Sequence, residues 1–173
     1  SIEGTRAFSI ANSPNEEGIV ELHIRKVEGG AATTYVHENL KQGDELDISG
    51  PYGQFFVRKS DDRGVIFIAG GSGLSSPQSM ILDLLEAGET RNIYLFQGAR
   101  DVSELYNREI FENLVKEHAN FHYIPALNAP KAEDAWTGFT GYVHEAVAHH
   151  FENKCSGHKA YLCGPPPMID AAI

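Results

Sequence analysis

The chain is poor in cysteine, with Cys155 and Cys163 the only two in 173 residues. No C-x-x-C pair exists, so neither a four-ligand structural zinc nor an iron–sulfur cluster can be built from its own thiols. Basic charge is scarce as well. Against 24 Asp and Glu stand 14 Lys and Arg, for a formal net charge of −10. Such a surface repels a phosphate backbone, and Lys/Arg runs stop at pairs such as Arg25-Lys26, so no nucleic-acid partner is expected. A basic protein partner would suit it better. Long apolar runs are missing too. Stretches such as Val65-Ile66-Phe67-Ile68-Ala69 fall far short of the roughly 20 residues a membrane-spanning helix needs, so no membrane span is expected. No signal-peptide pattern opens the sequence, and two free thiols fit a cytoplasmic location. Neither a GxSxG elbow nor an HExxH helix is found, so hydrolase chemistry has no support. Of the eight histidines, His144 with His149 or His150 lacks a third ligand at useful spacing, and no metal site is expected.

What is present describes a folded chain. Apolar residues make up 42%, enough for a sizeable core, and no residue type dominates, which excludes disordered, collagen-like and coiled-coil classes. At about 150 residues per domain the length allows one domain or two small ones. Residues 6–11, 19–27 and 44–49 read as strands separated by turn signals, with a short helix over 32–40. This pattern predicts part of a small antiparallel β-barrel. From Gly64 the rhythm changes to strands at 65–69, 92–97, 121–126 and 159–163, alternating with helices at 77–87, 106–118, 142–151 and from Pro166. Continuous apolar strands alternating with amphipathic helices predict an α/β domain with a parallel sheet covered on both faces. The boundary is expected at residues 60–63, giving domains 1–60 and 64–173.

In open parallel sheets, ligands bind outside the carboxyl ends of the strands. The first such end carries Gly70-Gly71-Ser72-Gly73-Leu74-Ser75-Ser76-Pro77. Glycines let the backbone approach a ligand closely, and the helix that follows aims unpaired N–H groups and a positive dipole end at it, which suits a pyrophosphate. The run departs from GxGxxG, with Ser76 in place of the third glycine, and a tight turn without ligand is the alternative. The second strand ends in Gln97-Gly98-Ala99-Arg100-Asp101. There a carboxylate favours a free ribose 2′-hydroxyl and a cation favours a 2′-phosphate. Arg100 and Asp101 argue opposite ways, and Asp101 is equally readable as half of a loop ion pair. The last strand ends in Cys163-Gly164-Pro165-Pro166-Pro167-Met168, a rigid turn that puts Cys163 either in the cleft or among structural thiols. Near the start, Arg6-Ala7-Phe8-Ser9 offers a cation, an aromatic ring and a hydroxyl, the set a flavin needs, although an ordinary strand could hold the same residues. Gly29-Gly30-Ala31-Ala32-Thr33 opens the short helix and is either a second anion site or a plain helix start.

Taken together and in order, these motifs resemble the ferredoxin–NADP reductase superfamily. The matching patterns are R-x-(Y/F)-(S/T) at residues 6–9, G-G-x-x-(S/T) at 29–33, G-P-x-G at 50–53, G-G-(S/T)-G-x-x-x-P at 70–77, G-x-R at 98–100 and C-G-P-P-x-M at 163–168. Within it, residues 27–35, 70–80 and 157–168 look most similar to reductase components of multicomponent phenol hydroxylases. Residues 136–144 look similar to the flavin subunit of sodium-translocating NADH–quinone reductases, the alternative, and a nucleotide-binding module without turnover is a third reading. The resemblance implies FAD and NADH (or NADPH) as cofactors, a [2Fe-2S] centre in the parent protein outside this chain, and an oxygenase hydroxylase component as partner. It also implies barrel strands before Arg6 and a segment beyond Ile173, so the chain reads as an internal piece.

Roles follow by the same resemblance. Arg6 would neutralise the FAD pyrophosphate, Phe8 pack along the flavin and Ser9 hydrogen-bond near its N5. Backbone of His23, Ile24 and Arg25 would read the flavin, and Gly30, Ala31, Ala32 and Thr33 complete the phosphate site. Gly71, Ser72, Gly73, Leu74 and Ser75 would take the NADH pyrophosphate, and Arg100 or Asp101 the ribose. Cys163, Gly164 and Pro165, with Met168 behind them, would place the nicotinamide. Ser9 and Cys163 are thus the two residues expected at the reacting atoms.

Overall fold

The computed structural model describes residues 4–173. Its centre is a parallel sheet whose middle strand, β1 (Gly64–Gly70), is the apolar run noted above, buried from Val65 onward. Alternate side chains leave opposite faces of a strand. Val65, Phe67 and Ala69 enter one core cluster, while Ile66 and Ile68 enter another. β2 (Ile93–Ala99) repeats the division, with Ile93 and Leu95 on the first side and Phe96 on the second. The first cluster is covered by α2 (Ser75–Glu86), through Met80, Ile81, Leu84 and Leu85, and by α3 (Arg108–Glu117), through Phe111. The second is covered by α4 (Val143–His150) and α5 (Pro166–Ala172). β3 (Phe121–Leu127) and β5 (His158–Cys163) complete the expected strands. A fifth, β4 (Phe139–Thr140), pairs with β3 through Ala126 and Leu127; at two residues it is too short for periodicity to announce. The order is β4-β3-β2-β1-β5, every neighbour parallel.

The first part of the chain differs from expectation. Its helix is there, as α1 (Ala31–Glu38). The strands read over 6–11, 19–27 and 44–49 form no continuous ladder. Among the described residues their pairing reduces to one antiparallel bridge, Ile10 with Leu22, beside the Ala11 N–H bond to Glu21 O at 2.9 Å. Alternation marks the face a strand would bury, but a ladder needs a neighbour. Here apolar positions face outward instead, with Leu46 56% and Ile48 66% exposed.

This part is fastened to the α/β part at several points. Val57 is buried in the first core cluster, and the Arg58 N–H donates to the Tyr161 hydroxyl at 3.0 Å. Lys59 pairs with Asp83 at 2.8 Å. Ser13 Oγ and Asn15 Nδ2 both donate to the Glu86 carboxylate, and these two bonds hold its pKa below the usual value. The polar stretch 60–63 is gripped by the Arg91 guanidinium, which donates to the carbonyls of Asp61 and Arg63 and pairs with Glu89, drawing that carboxyl down to about 2.

At the opposite end of the sheet from the glycine turn, Tyr94 gathers three imidazoles. His122 stacks on it at 4.6 Å, and His150 and His158 meet it edge-on at 5.4 and 5.6 Å. Burial pushes the His150 pKa down, and the charges of His122 and His149 push the same way. A histidine whose folded pKa is depressed stabilises the fold above its unfolded value and loses that contribution as pH falls through the folded one. The melting temperature is therefore expected to decline as pH drops below the ordinary histidine value of 6.5. His150→Gln should flatten the decline in thermal scans at pH between roughly 5 and 7.5; an unchanged slope would clear His150 of the effect.

Candidate functional site

Strand order reverses at β1. The chain leaves it for β2, β3 and β4 on one side, then returns through α4 to β5 on the other. Such a switch point opens a crevice at the carboxyl ends of the two diverging strands. Both glycine-bearing turns meet there. The first begins as a 3-10 turn, Gly71–Leu74, and runs into α2. A Cβ on Gly73 would collide with the Cys163 carbonyl and stand 2.7 Å from Gly164 Cα. Gly164 in turn lies against Gly70 N and the Met168 methyl. These glycines are therefore required by a backbone-to-backbone approach between the ends of β1 and β5. Gly71, at φ +53°, has open space around it and is glycine for its left-handed conformation.

Facing this turn across a cavity of about 410 Å³ is the segment His23, Ile24 and Arg25. Gly71 and Ser72 form the near wall, and Ser103, Glu104 and Tyr106 close one side. The first five of these are expected from sequence motifs; the last three belong to none. Their signal is positional alone: they follow the carboxyl end of β2, where the crevice had to be.

A polar array joins the two walls. His23 Nε2 lies 2.7 Å from Glu21 Oε1 and 3.4 Å from Asn107 Nδ2, which also donates to buried Gln78 Oε1 at 2.8 Å. The Tyr106 hydroxyl donates to Gly71 O at 2.9 Å, and its ring packs edge-on against His23 at 5.1 Å. Burial pushes that hydroxyl's pKa well above its ordinary value, so it stays protonated. Burial likewise raises the half-buried Cys163 thiol, which is neutral at neutral pH. That state suits packing against an uncharged ring and does not suit a nucleophile.

Other expected residues lie elsewhere or are engaged. Leu74 is fully buried, so only its backbone could serve a ligand, and Ser75 Oγ donates to Ser72 O at 2.8 Å, bracing the turn. Asp101 is 7% exposed; its carboxylate accepts from the Ser103 hydroxyl and from Ser103 N at 3.0 Å and pairs with Lys131 at 3.0 Å, and the Ser103 hydroxyl first, then Lys131, lowers its pKa. Arg100 is exposed beside it, its N–H donating to Glu104 Oε2 at 3.1 Å. Arg6, Phe8 and Ser9 are exposed and outside the cavity wall, with Arg6 Nη1 donating to the neighbouring Thr5 carbonyl. At the start of α1, Gly30 packs against Thr33, whose Oγ1 accepts from Val27 N at 3.1 Å and donates to Gly30 O at 3.2 Å. Ala31 and Ala32 follow as the first helical residues with no side-chain cap before them. Among the described residues no group of three or more His, Cys, Asp or Glu is placed to hold a metal ion, and no helix is long and apolar enough to cross a membrane.

A dinucleotide fits this geometry: a glycine turn with open space beside Gly71, a helix N-terminus at the crevice, and a cleft wall opposite. Comparison with known proteins agrees. Residues 67–173 match the model of the oxidoreductase NAD-binding domain, and residues 2–57 match that of the oxidoreductase FAD-binding domain. The phenol hydroxylase P5 protein of Acinetobacter pittii (strain PHEA-2) is 82% identical over all of this chain and 49% of its own length. The reductase component DmpP of phenol 2-monooxygenase from Pseudomonas sp. (strain CF600) is 64% identical over 99% of the chain and 49% of its own length. The crystal structure of the Amycolatopsis cytochrome P450 reductase GcoB superposes with a TM-score of 0.86 at 29% identity, over 95% of this chain and 50% of that one. The chain thus spans about half the length of the curated relatives it matches. With both domain models in this order on this topology, the chain belongs to the ferredoxin–NADP reductase-like family of oxidoreductases, in which an FAD-binding domain precedes an NAD-binding domain.

Proposed function

We propose that this chain is the flavin- and NADH-binding portion of the reductase component of a multicomponent phenol hydroxylase, with the boundary between its two domains at residues 60–63. The observation that carries the reading is the crevice itself: two glycine-bearing turns packed backbone to backbone at the switch point, opposite the His23–Arg25 wall. Its 82% identity to the phenol hydroxylase P5 protein and 64% identity to the reductase component DmpP of phenol 2-monooxygenase support the narrower assignment. FAD, when bound, supplies the ability to accept a hydride and release electrons one at a time. The chain's own residues bind and orient. Amides of Gly71, Ser72 and Gly73 receive the dinucleotide pyrophosphate at the head of α2, where the helix dipole favours negative charge. Cys163, Gly164 and Pro165 would form the floor for the nicotinamide, with Met168 packed against Gly70 and Gly164. Arg6, Phe8, Ser9 and the start of α1 serve the flavin and its phosphates. Glu104 on the cavity wall opposes a 2′-phosphate, which favours NADH over NADPH. No general acid or base is required for hydride transfer, consistent with a neutral Cys163.

In the full-length protein a [2Fe-2S] centre outside this chain would supply one-electron transfer toward a hydroxylase component, and the location that suits this role is the cytoplasm. The test is the visible spectrum of the full-length protein under anaerobic conditions. Flavin bands that NADH bleaches are expected, with kcat/KM higher for NADH than for NADPH. Absence of flavin, or flavin that NADH leaves oxidised, would overturn the reading.

A further inference from the structure

Tyr106 belongs to no motif, yet it is among the most constrained residues of the crevice. Its backbone carbonyl accepts from the buried Gln97 Nε2 at 3.2 Å, and Gln97 Oε1 accepts from the Tyr123 hydroxyl at 2.6 Å. Its neighbour Asn107 sits in the left-handed region, φ 58°, and is tied to Gln78. Its ring is braced against His23. A side chain fixed from three directions delivers its hydroxyl to one acceptor, Gly71 O at 2.9 Å.

That acceptor matters because of what shares its plane. The Gly71 carbonyl and the Ser72 N–H belong to one rigid trans peptide and point in opposite directions. No side chain packs over Gly71 and its φ is +53°, so within the 3-10 turn Gly71–Leu74 the orientation of this peptide depends on hydrogen bonds rather than on packing. Holding the carbonyl therefore fixes the amide. We propose that Tyr106 is a positioning residue for the dinucleotide: its hydroxyl latches the Gly71–Ser72 peptide so that the Ser72 amide is set for the pyrophosphate. This inference rests on the reading that the crevice binds NADH.

Tyr106→Phe in the full-length protein removes the hydroxyl and keeps the ring. Binding of NAD+ and of ADP-ribose, followed by calorimetry on the oxidised protein, is expected to weaken by the same roughly three- to tenfold factor, the value of one hydrogen bond. KM for NADH should rise in parallel while kcat at saturation stays within about twofold, since the lost contact serves ground and transition states alike. Flavin content and melting temperature should hold. Unchanged affinity for both ligands would overturn the latch, as would a loss confined to NAD+, which would put the fault at the nicotinamide. A fall in kcat at constant KM would overturn it as well. Should Tyr106→Phe melt lower, equal weakening of both ligands at a temperature where it is fully folded still decides the matter. A wild-type protein that binds no NAD+ overturns both this inference and the function it rests on; wild-type binding left intact in the variant overturns the latch alone.

Discussion

Gly73→Ala is expected to abolish tight dinucleotide binding and to lower the melting temperature in the same protein. The added methyl would meet the Cys163 carbonyl and the Gly164 Cα, which are backbone atoms at the end of a paired strand and cannot rotate aside. Either the turn or the end of β5 must move. Overpacking of this kind costs about 1–3 kcal/mol. A displacement near 1 Å at a binding loop is worth on the order of 100-fold in kcat/KM. The measurement pairs a thermal melt with NADH titration of the full-length protein. Near wild-type affinity in the alanine variant would mean that the two turns do not pack against one another as described. Gly71→Ala provides a contrast: nothing crowds its Cβ, so its penalty should be the smaller one of a left-handed alanine.

Phe67→Ala should produce the largest purely thermodynamic effect. Phe67 lies mid-strand in β1, fully buried, with its ring 5.6 Å from that of Tyr161 and in one cluster with Leu74, Ile81, Leu84 and Phe111. Removing a buried phenyl forfeits its transfer energy and leaves a cavity, together about 3–5 kcal/mol. At about 2–4 °C per kcal/mol for a domain this size, the melting temperature should fall by roughly 10 °C. Leu74, which seats the glycine turn, loses packing in the same cavity, so KM for NADH should rise while the variant is still folded. Phe67→Leu retains most of the volume and should cost under about 1.5 kcal/mol. A loss under about 1 kcal/mol in the alanine variant would contradict a close-packed core at this strand.

The α/β half was legible because its physics is local. A run such as Val65-Ile66-Phe67-Ile68-Ala69, short, rich in β-branched and aromatic residues and bounded by glycines, reads as a strand covered on both faces, and each helix between strands shows its apolar stripe. β4 escaped notice because two residues carry no period. The strands of the first part were read from alternation that is present in the sequence, but alternation states a preference for a buried face and says nothing of whether a partner lies alongside. The site divides the same way. Glycines that must let two backbones touch are visible as glycines, so residues 70–77 and 163–168 could be found. Tyr106, Ser103 and Glu104 could not, since nothing in their local pattern departs from an ordinary strand-to-helix connection. Asp101 was readable as a ribose ligand or as an ion-pair partner. In the structure its carboxylate is paired with Lys131, a contact that depends on β2 and β3 being neighbours.

Glu86 binds Ser13 and Asn15 from 73 and 71 positions away, and Val57 sits in the core below the same helix. The intervening stretch, which carries His23–Arg25 and α1, is thus a tether pinned at both ends to the nucleotide half rather than an arm free at one. Because the entropy cost of closing a loop grows only slowly with its length, a few contacts at each end suffice to hold so long a stretch: Glu86 with Ser13 and Asn15 at one, and Val57, Arg58 and Lys59 with the core, Tyr161 and Asp83 at the other. A swing of the whole first part about residues 60–63 would break both pins, whereas small shear within the tether would keep them.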